Sequence, residues 1–94
     1  MKAILVLALS VLPTLAHAHG SVAKQSSDAV LAATELFQRS QTPDVRRQFY
    51  SISATLTGHE RFAVEISLKD RTQLKYDCRE NESVNPVVWE CTAI

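Results

Sequence analysis

The chain has 94 residues, 46% of them hydrophobic, and its ten Lys and Arg balance ten Asp and Glu to a formal charge of zero. That length allows one small domain, and the neutral balance excludes the basic footprint of a nucleic-acid or anionic-membrane binder. Two cysteines suffice for one disulfide but supply only half of a four-thiolate metal site.

Met1 and Lys2 give a short positive start, Ala3 to Leu12 is an apolar run interrupted only by Ser10, and Pro13 precedes Ala16-His17-Ala18. This order predicts a secretory signal peptide over 1–18, of bacterial type in its shortness, cleaved after Ala18 by the small-residue rule. The apolar run falls short of the roughly 20 residues a membrane span needs, so no span is expected in the mature chain. The remaining 76 residues, without Lys2, carry nine Lys and Arg against ten Asp and Glu, a formal charge of −1. A domain of that size buries only about 60–65% of its unfolded surface, and a covalent staple is a large help to it. An exported chain meets an oxidising compartment, periplasmic or extracellular, so Cys78 and Cys91 are expected to pair. A zinc or other metal site is not expected of them, because His59 is the only histidine after His19.

Residues 19–26 read as a flexible leader and 27–94 as a single domain. Ser27 or Asp28 can accept from the free N–H groups of a first helical turn, and the apolar positions Ala29, Val30, Ala32, Ala33, Leu36 and Phe37 form one stripe at helical spacing. A helix is predicted over 28–40, with Leu31 alone on the wrong side and Thr42-Pro43-Asp44 ending it.

From Phe49 onward the period becomes two. Tyr50, Ile52, Ala54 and Leu56 alternate with hydroxyl residues, then Phe62, Val64, Ile66 and Leu68 alternate with Arg61, Ala63, Glu65 and Ser67, which predicts two half-buried strands with the turn at Gly58. Leu74, Tyr76 and Cys78 continue an apolar face. A three-residue loop, Lys69-Asp70-Arg71, sets Ile66 opposite Leu74, Val64 opposite Tyr76 and Phe62 opposite Cys78, whereas a two-residue loop would put Leu68 against Gln73. Asn85-Pro86 signals a turn before the last short strand, and pairing Cys78 with Cys91 across that hairpin sets Arg79 against Glu90, an opposite-charge pair. The predicted fold class is α+β: one N-terminal helix on a three- to four-stranded antiparallel meander, closed by one disulfide.

Several side-chain groups invite a functional reading. His59 beside Glu60 is an imidazole next to a carboxylate, but neighbours in a turn point apart and no nucleophile is fixed near them. Asp77, Glu80, Glu82 and Glu90 gather near the predicted hairpin, where they could meet a cation or a basic partner, or form an ordinary acidic loop. His19 as a new N-terminus, or His17-Ala18-His19 after earlier cleavage, offers nitrogen ligands suited to Cu(II), with incidental binding the plainer explanation. Arg46-Arg47 before Phe49-Tyr50 mixes charge with aromatics as a nucleic-acid site does, yet without a basic domain around it. Asn81-Glu82-Ser83 fits the N-glycosylation pattern. Trp89 shares parity with Val87 and Cys91, which favours the core beneath the disulfide. On an open edge strand, Trp89, Val88 and Arg79 would instead form the partner-binding site, where a strand can be added.

The order of export signal, helix, strand and the hairpin from Phe62 through Lys69-Asp70-Arg71 to Tyr76 resembles the small extracytoplasmic PepSY-type domains over residues 28–78, with Arg71 where that family has Gly after the turn Asp. The resemblance implies a non-enzymatic domain that binds or restrains peptidases or accompanies envelope proteins, and it assigns no residue a role. The sequence therefore predicts a small exported envelope protein, not an enzyme, with no cofactor, that binds or inhibits another protein. The alternatives are a small hydrolase at His59 or the acidic hairpin, and metal binding through His19.

Overall fold

The computed structural model describes residues 21–94. The expected signal peptide, its cleavage point and the nitrogen ligands at His17 and His19 lie outside the described residues.

Helix α1, Val22–Ser40, begins six residues before the expected start. Ser21 is its cap: the Ser21 Oγ accepts from Lys24 N at 3.1 Å, and Lys24 Nζ reaches the Asp28 carboxylate one turn on, at 2.9 Å. The flexible leader is corrected accordingly, since Val22 to Ser26 are helical and Asp28 is an interior residue. Hydroxyl capping three residues ahead of Lys24, with no acidic residue in the first turn, carries the start. Ala29, Ala33 and Phe37 are fully buried on the inner stripe while Leu31 stands in solvent, as its angular position requires. The helix stops at Ser40, and a four-residue turn of helix, α2 (Pro43–Arg46), follows with Thr42 as its cap and Pro43 at its first position. Arg46 Nη1 caps the end of α1, donating to Gln38 O at 3.1 Å and Gln41 O at 2.7 Å.

Four antiparallel strands follow in spatial order β1-β2-β3-β4: β1 (Phe49–Gly58), β2 (Arg61–Leu68), β3 (Gln73–Asn81) and β4 (Val88–Ala93). The parity argument holds across the second hairpin, where Ile66 faces Leu74, Val64 faces Tyr76 and Phe62 faces Cys78. Leu68 N donates to Thr72 O at 2.9 Å around the three-residue loop. The terminal hairpin has the expected register too: Cys78 opposes and is bonded to Cys91, and Arg79 opposes Glu90. The Asn85–Pro86 peptide in its connection is cis.

Two details depart from the alternation. Phe49, not Tyr50, takes the inward place opposite Leu68, and a register shift between Phe49 and Ser51 leaves Tyr50 as the extra residue, 73% exposed. Phe49 wins that place because it meets Phe37 of α1 edge-on, ring centroids 5.9 Å apart. In the first hairpin Gly58 ends β1 by pairing with Arg61, so His59 and Glu60 form the turn and the positive φ of 53° falls on Glu60. Glu60 is held there through its carbonyl, which accepts from Glu80 N at 3.2 Å.

The core is one cluster between helix and sheet: Ala29, Ala33 and Phe37 above Phe62, Val64, Ile66, Leu68, Tyr76 and Cys78. The helix crosses the sheet obliquely. Its first half meets β4, with Ala29 O 3.8 Å from Cys91 Sγ, and its end meets β1 through Phe37 and Phe49. The oxidised sulfur carries no hydrogen, so the former is a packing contact. Far from the Phe37 end, Leu56 on β1 is left half exposed. No helix among the described residues is long and apolar enough to cross a membrane.

Candidate functional site

The sheet has one covered face and one open face. On the open face, β2 and β3 carry two cross-strand ion pairs: Arg61 grips Asp77 in a fork, Nε to Oδ1 at 3.0 Å and Nη2 to Oδ2 at 2.6 Å, and Lys75 lies 3.7 Å from Glu65. The guanidinium beside it, chiefly through that hydrogen bond, holds the Asp77 carboxyl below the usual carboxylate range.

At the end of this face, where β1 enters and β2 turns, lies a cleft of about 650 Å³ lined by Tyr50, Ser51, Ser67, Lys69, Arg71 and Gln73. Each part has a local cause. The bulge at β1 pushes Tyr50 outward, and the Lys69 N–H donates to Gln48 O at 2.8 Å, tying the turn to the segment before β1. Asp70 Oδ1 accepts from Thr72 N at 2.9 Å, which lowers the Asp70 pKa and rounds the loop, leaving Arg71 in the left-handed region at φ 76°. Among the described residues neither Lys69 nor Arg71 stands in an ion pair. An aromatic ring, two cations, two hydroxyls and an amide around a concave surface suit a carboxylate-bearing ligand.

The residues singled out in the sequence are distributed elsewhere. Trp89 lies on the covered side, half-buried, its ring 5.9 Å from that of Phe62. Val88 is exposed on β4, which is an edge strand, and Arg79 is exposed on β3 between Glu90 and Arg61. Glu90 accepts from Asn81 Nδ2 at 2.9 Å, while Asn81 Oδ1 accepts from Ser83 N and Ser83 Oγ, so the glycosylation pattern is folded into its own turn. Arg46 and Arg47 are engaged locally, the one at the end of α1 and the other with Asp44.

The His59 side chain is 88% exposed at the tip of the first turn, its Nε2 3.5 Å from Glu60 Oε1. The acidic residues divide. Asp77 belongs to the open face with Arg61, and Glu90 to β4, while Glu60, Glu80 and Glu82 bring carboxylate oxygens within 4.8 Å of one another. Oxygen groups of this kind are what a hard divalent cation takes, though acidic loops gather carboxylates without one. The sequence missed Tyr50, Lys69 and Arg71 as a group. The adjacent pair Phe49-Tyr50, of which only one can face inward, was the signal for the bulge.

Comparison with protein-family models, with curated proteins and with solved structures returned no match to this chain.

Proposed function

We propose that this chain is a small, exported, non-enzymatic envelope protein that binds or restrains another protein, holding an acidic or carboxylate-terminated segment of it in the cleft beside Tyr50. The observation that carries the reading is that cleft: an exposed aromatic ring and two cations that form no ion pair among the described residues, on the open face of a sheet whose other face is spent on the core. Tyrosine and arginine are the side chains that most often dominate binding energy at protein interfaces. The Cys78–Cys91 bond suits an oxidising compartment, and the resemblance of residues 28–78 to PepSY-type domains supports the same class of role.

Trp89 and Val88 take second place in this reading. Replacing Trp89 would disturb its contact with Phe62, and a lost partner would then not separate binding from folding. The test is capture from envelope extract by wild-type protein and by Tyr50→Ala with Arg71→Gly, followed by affinity measurement on the partner recovered. Each substitution is expected to cost about 2 kcal/mol of binding, roughly thirtyfold in Kd, with no loss of melting temperature for Arg71→Gly. A partner retained with equal affinity by the double variant would end the reading.

A further inference from the structure

β1 is an edge strand of unusual composition for this sheet. Over Phe49–Gly58 it has neither a charged residue nor a proline, whereas β2, β3 and β4 all carry charges. Exposed edges are ordinarily guarded by charge or proline, because a row of free N–H and C=O groups is a template for another strand. The register shifts at its two ends bound a regular stretch from Ser51 to Leu56, in which Ile52, Ala54 and Leu56 face the helix side and Ser51, Ser53 and Thr55 face the open side.

We infer that this edge pairs with the β1 edge of a second copy of the chain, antiparallel about a two-fold axis through Ala54. The choice of occupant follows from self-complementarity. Only registers that keep inward residues opposite inward residues are allowed, since a slip of one turns every side chain over. With Ala54 opposite its own copy, Ile52 lies against Leu56 of the second copy, and Ser53 lies against Thr55 of the second copy. That covers Leu56, which the oblique helix leaves 50% exposed, with a large apolar side chain. It sets hydroxyl residues opposite hydroxyl residues on the open face, a favourable cross-strand pairing. Shifting the axis by one residue in either direction leaves Ile52 against Ala54 or against Gly58 and strands one large apolar side chain. With no charge on the strand, no like-charge pair opposes the contact, and the isologous geometry closes at two copies as a continuous eight-stranded sheet.

The test is sedimentation equilibrium on the purified, disulfide-bonded protein and two double variants that fold equally by circular dichroism. Wild type is expected at twice the chain mass. Ser53→Lys with Thr55→Lys places lysine opposite lysine twice across the axis and is expected to raise the dimer Kd about tenfold or more. Ser53→Lys with Thr55→Glu makes the same number of changes but places lysine opposite glutamate twice, and is expected to restore the dimer. A wild type that stays monomeric at its highest soluble concentration overturns the inference. So does a lysine pair that still dimerises, or a Lys–Glu pair that does not recover. None of these positions is Tyr50, Lys69 or Arg71, so partner capture and self-association can fail separately.

Discussion

Arg71 occupies a backbone conformation that L side chains avoid, φ 76°, because the three-residue loop that fixes the β2–β3 register needs one left-handed residue. A non-glycine residue there costs roughly 1 kcal/mol, partly offset by the extra chain entropy that glycine must lose on folding. Arg71→Gly is therefore expected to stabilise the domain by about 0.5 kcal/mol, read as a higher urea midpoint at unchanged slope; a lower midpoint would show that the side chain contributes more than its backbone costs. The carboxylates have a matching pH signature. Asp77 is lowered by its fork with Arg61 and Asp70 by the Thr72 N–H, so each binds its proton less readily folded than unfolded. Their stabilisation is present above the unfolded carboxylate value of about 3.9 and is lost as pH falls through the lower folded values. Tyr76 has the opposite sign in effect: burial raises its pKa, so its contribution holds below about 10 and is lost as pH climbs past it. Urea midpoints measured across pH should fall at both ends, and Asp77→Asn should flatten the acid limb alone.

Among the elements, α1 is the one whose extent the sequence left short. Its inner stripe was legible from Ala29 to Phe37 because apolar spacing repeats there, but Val22 to Ser27 offer only Val22 and Gln25 on that stripe, too few to show a period. Ser21 does the capping, and Ser21→Ala is expected to cost about 1 kcal/mol, with the loss of helicity confined to the first turns. A midpoint shift from Asp28→Ala larger than that from Ser21→Ala would return the start to where the apolar spacing alone puts it. The strands behaved differently. Between Phe62 and Cys78 every inward residue is apolar, so parity admits one register, and the terminal hairpin inherits its register from the cysteines. In β1 two adjacent aromatics competed for one inward position, and the choice depended on Phe37, a contact over a distance that alternation does not encode. The cleft was hidden for the same reason. Its ring comes from a bulge, Arg71 from a left-handed turn, and the two meet only because β1 and β2 are neighbours.

For the whole molecule, the last strand is the weakest partner and the disulfide is what holds it. β4 spans Val88–Ala93, pairs on one side only, and places just Trp89 and Cys91 against the core cluster. The bond joins Cys91 to Cys78 over a sequence separation of 13, a loop for which the chain-entropy account gives about 3 kcal/mol. In a domain whose total stability is of the order of 5–15 kcal/mol, that is a large share. Cys91 also lies against Ala29, so the bond fixes the point at which the first half of α1 docks. Replacing both cysteines with serine is expected to lower the unfolding free energy by about 3 kcal/mol and to do so unevenly. Amide protection should fall first along β4 and the first half of α1, while Phe62, Val64 and Ile66 at the centre of β2 keep the slowest exchange. Equal loss of protection in β2 and β4 would mean that the terminal hairpin folds as one unit with the centre, and that the bond stabilises the sheet as a whole.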